Sequence, residues 1–203
     1  MSAGKGRGFA RTAILGATLE IIASDGIDAV THRRVAEIAG VSPGSTTHHF
    51  SSREDLIRET FRFYLQMASR FMSALDEEIR ASTSDPLERA QRFATEIIRR
   101  EFESGGQNIR AEHEMLLYAS TDTDLATEVR GWDARWVGHI AGDLEASGWT
   151  RPVDTARTVM NLIRGFEIER LLNPHLDSGD FQRRLEAVLT PNSGDPWNSR
   201  PAP

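Results

Sequence analysis

The chain has 203 residues, 39% hydrophobic and 27% charged, which suits a globular protein with one sizeable core or a small module joined to a larger one. It has no cysteine, so disulfides, thiolate zinc sites and thiol nucleophiles are excluded. The net charge of −6 argues against nucleic acid as a partner of the whole surface, but it is unevenly spread. In residues 1–60, Lys5, Arg7, Arg11, Arg33, Arg34, Arg53 and Arg58 balance Glu20, Asp25, Asp28, Glu37, Glu54, Asp55 and Glu59, so the rest of the chain carries the negative excess. The opening MSAGKGRGFARTAILG has neither an uninterrupted apolar stretch nor a cleavage-like site, and no apolar run nears the roughly 20 residues that span a bilayer. The expectation is a cytoplasmic chain with no membrane partner.

Apolar residues recur at three- and four-residue steps and no strand series is visible, which predicts an all-α chain. The first helix runs from about Phe9 to Ser24 with Ile14, Ala17, Thr18, Ile21 and Ile22 on one face, and Gly26 closes it. Thr31 is the expected N-cap of a short second helix through Ile38, followed by an Ala39-Gly40-Val41 turn. Ser42-Pro43 opens a third helix with a hydroxyl cap and a proline at its first position. Ser51-Ser52 opens a fourth, with Ser51 and Glu54 as a capping box, and this long helix carries Leu56, Phe63, Met67, Phe71 and Leu75 as a stripe to about Ile79. Further helices are expected from Asp85-Pro86 to Phe102, over 107–120, from Asp124 to Ala146, from Pro152 to Asn173-Pro174, and over 179–189, with an unfolded Pro/Gly/Ser/Asn-rich tail. The organisation is a three-helix head over residues 1–52, a body of about six helices over 53–190, and a flexible tail over 191–203.

Two short helices joined by a glycine-containing turn form a helix-turn-helix arrangement, with Val35, Ile38 and Val41 as its small core. The outward face of the third helix is expected to carry Ser45, Thr46, Thr47, His48 and His49, groups able to reach base edges and phosphates in a major groove. Thr31, Arg33, Arg34, Ser42 and Arg53 sit at helix starts, where guanidinium and backbone N–H groups suit a phosphate. Lys5 and Arg7 lie in a glycine-rich arm that could follow the backbone or enter the minor groove.

The string RTAILGATLEIIASDGIDAVTHRRVAEIAGVSPGSTTHHFSSREDLI resembles the DNA-binding segment of the TetR family of tetracycline-repressor-like regulators. Matching features are the opening arginine, Gly26, the Thr31 cap, IAGVSPG across the turn, the closing His-Phe, and the Ser-basic-Glu-x-Leu start of the fourth helix. The resemblance implies a homodimer that binds a palindromic double-stranded operator and releases it on taking up a small-molecule effector. It departs at Thr46-Thr47-His48, where many members carry Leu-Tyr-Tyr or Leu-Tyr-His, so the tyrosine expected at position 47 is a threonine.

Family organisation further implies an effector cavity among the central helices and pairing of the last two long helices with a second subunit. The expected cavity lining is Met67, Phe71, Phe93, His113, Leu117, Trp132, Trp136 and His139, with Trp132, Trp136 and His139 on one helical face, unless that aromatic stripe is plain core. Arg164 would anchor an anionic effector or pair with Glu167 or Glu169. Val159, Ile163, Phe166, Phe181 and Leu185 are the expected dimer contacts, unless those faces close the monomer's own core.

Catalytic motifs are missing from the sequence. No histidine has a glutamate three positions before it, and HExxH, GxxxxGK[ST] and GxGxxG before a helix do not occur. The expectation is therefore no enzyme activity, no cofactor and no metal. The alternative to a regulator is a helical ligand-binding or interaction module without specific DNA binding, favoured only by the departure at Thr46-Thr47-His48.

Overall fold

A computed structural model describes the chain from residue 3 to residue 190, except for the side chains of residues 3–7 and Gln107. The tail over 191–203 and the side chains of Lys5 and Arg7 lie outside the described residues. Among those described there are nine helices and no strand: α1 (Ala3–Asp25), α2 (His32–Ile38), α3 (Pro43–His49), α4 (Arg53–Ser82), α5 (Pro86–Glu103), α6 (Gln107–Ala119), α7 (Thr123–Ala146), α8 (Pro152–Leu172) and α9 (Ser178–Leu189). A single 3-10 turn, Ile27–Ala29, lies between α1 and α2.

Local chemistry sets most helix ends. Gly26 takes φ 90° after α1, and the Thr31 hydroxyl accepts from the Arg34 backbone N–H at 3.2 Å to cap α2. Gly40 turns the chain at φ 64°, with the Val41 N–H donating to Ala36 O at 3.0 Å. Asp85 accepts from the N–H groups of Leu87 and Glu88 to start α5, and Asp177 with Asp180 forms a reciprocal capping box on α9. Two expected caps differ. Ser42 precedes Pro43 as predicted, but its hydroxyl makes no cap bond, because the Ser45 N–H donates to the Ser42 carbonyl instead. The box that opens α4 is also displaced by one residue: Ser52 Oγ accepts from the Asp55 N–H at 3.1 Å, and Asp55 Oδ2 accepts from the Ser51 N–H at 2.8 Å. Glu54 is not its acidic member.

Two compact units result. The first comprises residues up to Ser69 together with Gln107–Val129, so it includes α1 to α3, the start of α4, α6 and the start of α7. Ile14, Ala17, Thr18, Ile21 and Ile22 are buried in it as their spacing predicts, with Val30, Val35, Phe50, Leu56, Ile57, Phe61 and Met115. Ile38, expected in the head's core, is exposed at the end of the seven-residue α2, and Val41 is half-buried.

The second unit comprises Arg70–Gly106 and the described residues from Arg130 on. α5, α8 and α9 pack together there, with Phe166 stacked on Phe102 and edge-on to Phe181. Val159, Ile163, Phe166, Phe181 and Leu185 all lie in this core. The assignment of these five to a dimer interface is therefore corrected, since their helices turn their most apolar faces inward. On α4 the buried apolar residues are Leu56, Ile57, Phe61, Leu65, Met72, Leu75 and Ile79, and Met67 and Phe71 of the expected stripe are exposed. Asp143 is buried with its charge met by Arg89, whose Nε and Nη2 donate to Oδ1 at 3.0 and 2.7 Å.

Gly26→Ala is expected to destabilise the chain by about 1–2 kcal/mol in denaturant unfolding, because alanine resists a positive φ. A change within a few tenths would show that the linker adopts another conformation.

Candidate nucleic-acid interface and effector region

The reading surface is set by α1, α2 and α3, which pack on one another. Outward from that packing, Thr47 and His48 of α3, Arg33 of α2 and the flanking Thr31 and Ser42 are exposed, while Ser45, His49 and Arg34 are half-buried. His48 and His49 lie edge to face, with ring centroids 5.5 Å apart. The Thr47 hydroxyl donates to Gly44 O at 3.2 Å, which leaves its oxygen lone pairs outward as acceptors. Arg33 makes no ion pair or hydrogen bond among the described residues and is the available cation of this surface.

Three sequence assignments change here. Thr46 is fully buried, and its hydroxyl donates to Pro43 O at 2.9 Å with His32 O at 3.4 Å, so it ties α3 to α2 and cannot face a ligand. Arg53 is turned inward: Nε donates to Val30 O at 3.0 Å and Nη2 to Ile27 O at 2.6 Å, with Asp28 at 3.6 Å. Arg34 pairs with Asp25, and the Ser24 hydroxyl and this guanidinium hold the Asp25 carboxyl below the usual carboxylate range. Arg11 likewise pairs with Glu59 and lies 5.5 Å from the Phe50 ring centroid, a bracing contact between α1 and α4.

The sequence reading missed Arg58, Asp122, Arg110 and Glu114 in this unit. Asp122 takes both Arg58 Nε at 3.0 Å and Nη2 at 2.6 Å, and also accepts from the N–H groups of Asp124 and Leu125 at the start of α7. The Leu125 N–H and the Arg58 guanidinium lower its carboxyl accordingly. Only the i,i+4 spacing of Arg110 and Glu114 was visible beforehand.

The expected effector residues divide between the units. Met67, His113 and Leu117 belong to the first, and Phe71, Phe93, Trp132, Trp136, His139 and Arg164 to the second. Met67, Phe71 and Leu117 are exposed, Leu117 by 72%, which corrects their placement in an apolar wall, and His113 is half-buried. In the second unit an aromatic cluster does form. Phe93 stacks on Trp136 at 5.8 Å between centroids, His139 lies 5.1 Å from Phe93, and Trp132 meets Trp136 at 6.5 Å. His139 Nε2 lies 2.9 Å from Asp76 Oδ1, which Arg80 Nε also approaches at 2.8 Å. Trp136 is buried and no acceptor among the described residues meets its Nε1–H. Arg164 donates to Asp133 Oδ1 at 2.8 Å, a partner other than the expected Glu167 or Glu169. Among the described residues, no three His, Asp or Glu side chains are gathered as a metal site, and no helix is long and apolar enough to cross a membrane.

The sequence matches the family model "Bacterial regulatory proteins, tetR family" over residues 14–60, and "Tetracyclin repressor-like, C-terminal domain" over residues 85–191. It is 38% identical over 72 residues to the HTH-type transcriptional repressor KstR2 of Mycobacterium tuberculosis (strain CDC 1551 / Oshkosh). That match covers 35% of this chain and only 34% of that repressor. A TetR-family transcriptional regulator from Rhodococcus sp. superposes with a TM-score of 0.69 at 28% identity, covering 88% of this chain and 96% of the other. A transcriptional regulator from Saccharomonospora viridis, solved in complex with choline, superposes at 0.76 with 19% identity, covering 89% and 95%.

Thr46→Val, which removes the buried hydroxyl while keeping the shape, is expected to lower unfolding free energy by about 1 kcal/mol. Thr47→Val on the exposed side should stay within about 0.5 kcal/mol. Equal effects in denaturant unfolding would contradict the opposite facing of the two threonines.

Proposed function

We propose, since the chain belongs to the tetR family of bacterial regulatory proteins, that it is a cytoplasmic DNA-binding transcriptional repressor that leaves its operator when a small molecule binds. The observation that carries this reading is the exposure of Thr47, His48 and Arg33 on a helix-turn-helix that lies within the residues matching the family model. Laid in a major groove, α3 offers hydroxyl and imidazole groups to base edges, and Arg33 offers a guanidinium to the flanking phosphate. Thr47 is shorter than tyrosine, so its reach to a phosphate is reduced and Arg33 carries more of the backbone contact. The first 60 residues are charge-balanced while the remainder is acidic, which favours approach to DNA through this face alone.

The working unit on this reading is a homodimer, which would present two reading helices to a palindrome. Its contact is assigned to the outer face of α8, where Val153, Ile168, Leu171 and Leu172 are exposed and Gly165 leaves open space for a close approach. The effector is assigned to the Phe93–Trp132–Trp136–His139 region of the second unit, where a ligand with a hydrogen-bond acceptor would meet the Trp136 N–H. Release follows if the effector binds the DNA-incompetent conformation more tightly than the competent one. No step of this account requires catalysis or a cofactor.

The test is binding of the full chain to DNA sites recovered by selection from random or genomic fragments, titrated over salt. Specific binding that weakens log-linearly with salt is expected, with Arg33→Ala lowering the salt slope by about one unit per subunit. His48→Ala should weaken the specific site and spare nonspecific DNA, at a cost of about 1–3 kcal/mol if it contacts a base. Failure to enrich any site would favour an interaction module that does not read DNA.

A further inference from the structure

The linker between α1 and α2 is held by side chains from outside the three-helix head, and we infer that Glu114 and Arg110 of α6 form a positioning clamp that sets α2 and α3 for operator binding. The inference rests on the operator-binding reading above. Glu114 Oε2 accepts from the Ile27 backbone N–H at 2.5 Å, and its Oε1 accepts from Arg110 Nε at 2.9 Å. Arg110 Nη1 in turn donates to the Ser24 carbonyl at 3.0 Å.

The polarity of these contacts matches what the linker lacks. Ser24 O is one of the last carbonyls of α1, at the negative end of that helix, where a guanidinium is favoured. Ile27 N begins the 3-10 turn, where an outward N–H calls for an acceptor. A surface pair of the i,i+4 kind would leave its carboxylate in solvent. Here the Glu114 side chain is only 25% exposed, and one of its oxygens is directed at the backbone of another element.

Gly26 makes the fit possible. A Cβ built there would lie 3.0 Å from Glu114 Oε2 and 3.1 Å from both Glu114 Oε1 and Arg110 Nη2. Arg53 of α4 takes Ile27 O and Val30 O, so one short segment is gripped by two helices. α2 and α3 have seven residues each and lack the length to fix their own orientation. Because hydrogen bonds weaken steeply with distance and angle, a shift of α6 of about an ångström would break the clamp and free the segment that carries the reading helices.

The experiment uses the full chain and two readouts, amide hydrogen exchange at Ile27 and affinity for the selected operator fragment. Glu114→Ala is expected to raise Ile27 exchange and to weaken operator binding, each about tenfold, while Ile163 in the second unit stays protected. Glu114→Gln retains a carbonyl acceptor for Ile27 and should remain within about threefold of the unsubstituted chain on both readouts. Unchanged operator affinity in Glu114→Ala, with or without faster Ile27 exchange, overturns the clamp, and so does an equal loss in the Gln and Ala variants. If the unsubstituted chain itself binds no operator, the operator reading fails first, and this result is distinct from binding that survives Glu114→Ala.

Discussion

The fold of the reading unit depends on backbone groups between α1 and α2 that neither helix can satisfy. The chain must leave α1, reverse at Gly26 and enter α2 within a few residues, which leaves Ser24 O, Ile27 N and Val30 O without a helical partner, while Ile27 O takes the Val30 N–H of the 3-10 turn. A backbone group left unpaired away from water costs up to about 1–3 kcal/mol, which bears on the part-buried groups of Ile27 and Val30 more than on the exposed Ser24 carbonyl. Arg53, Arg110 and Glu114 meet them, which ties part of α4 and all of α6 to the three-helix head in the first unit. Gly26 admits this arrangement on two grounds, its positive φ and the space that a Cβ would take from Glu114.

Local features were well read from sequence because they depend on neighbours in the chain. Gly26, the Thr31 and Asp85 caps, Pro43 at the start of α3 and the buried face of α1 follow from backbone chemistry within a turn or two. The displaced box on α4 shows the limit: Ser51 and Ser52 are chemically alike, and which of them caps depends on where the chain leaves Phe50. Partners distant in sequence were not legible. Arg53 has the appearance of a phosphate-binding residue at a helix start until Val30 and Ile27 are brought beside it, and Arg164 meets Asp133 across 31 positions. Thr46 has the composition of a reading residue, yet on a seven-residue helix one face must point to the core, and Thr46 occupies it.

The same distinction governs the proposed dimer. The most apolar residues of α8 and α9 are those the monomer buries first, so an interface must use what is left. That remainder is a face with Val153, Ile168, Leu171 and Leu172 exposed beside an open Gly165. Its apolar character is unusual for a surface whose net charge is negative, and cover by a second copy would explain it.

In the proposed complex, two copies of α3 read one operator in consecutive major grooves. Hydroxyl-radical and guanine-methylation footprinting of the full chain on its selected site tests it most directly. Two protected half-sites are expected, with centres about one helical turn, ~34 Å, apart, related by a two-fold axis and marked by major-groove methylation interference in each. A single protected patch, or protection confined to the minor groove, would contradict it.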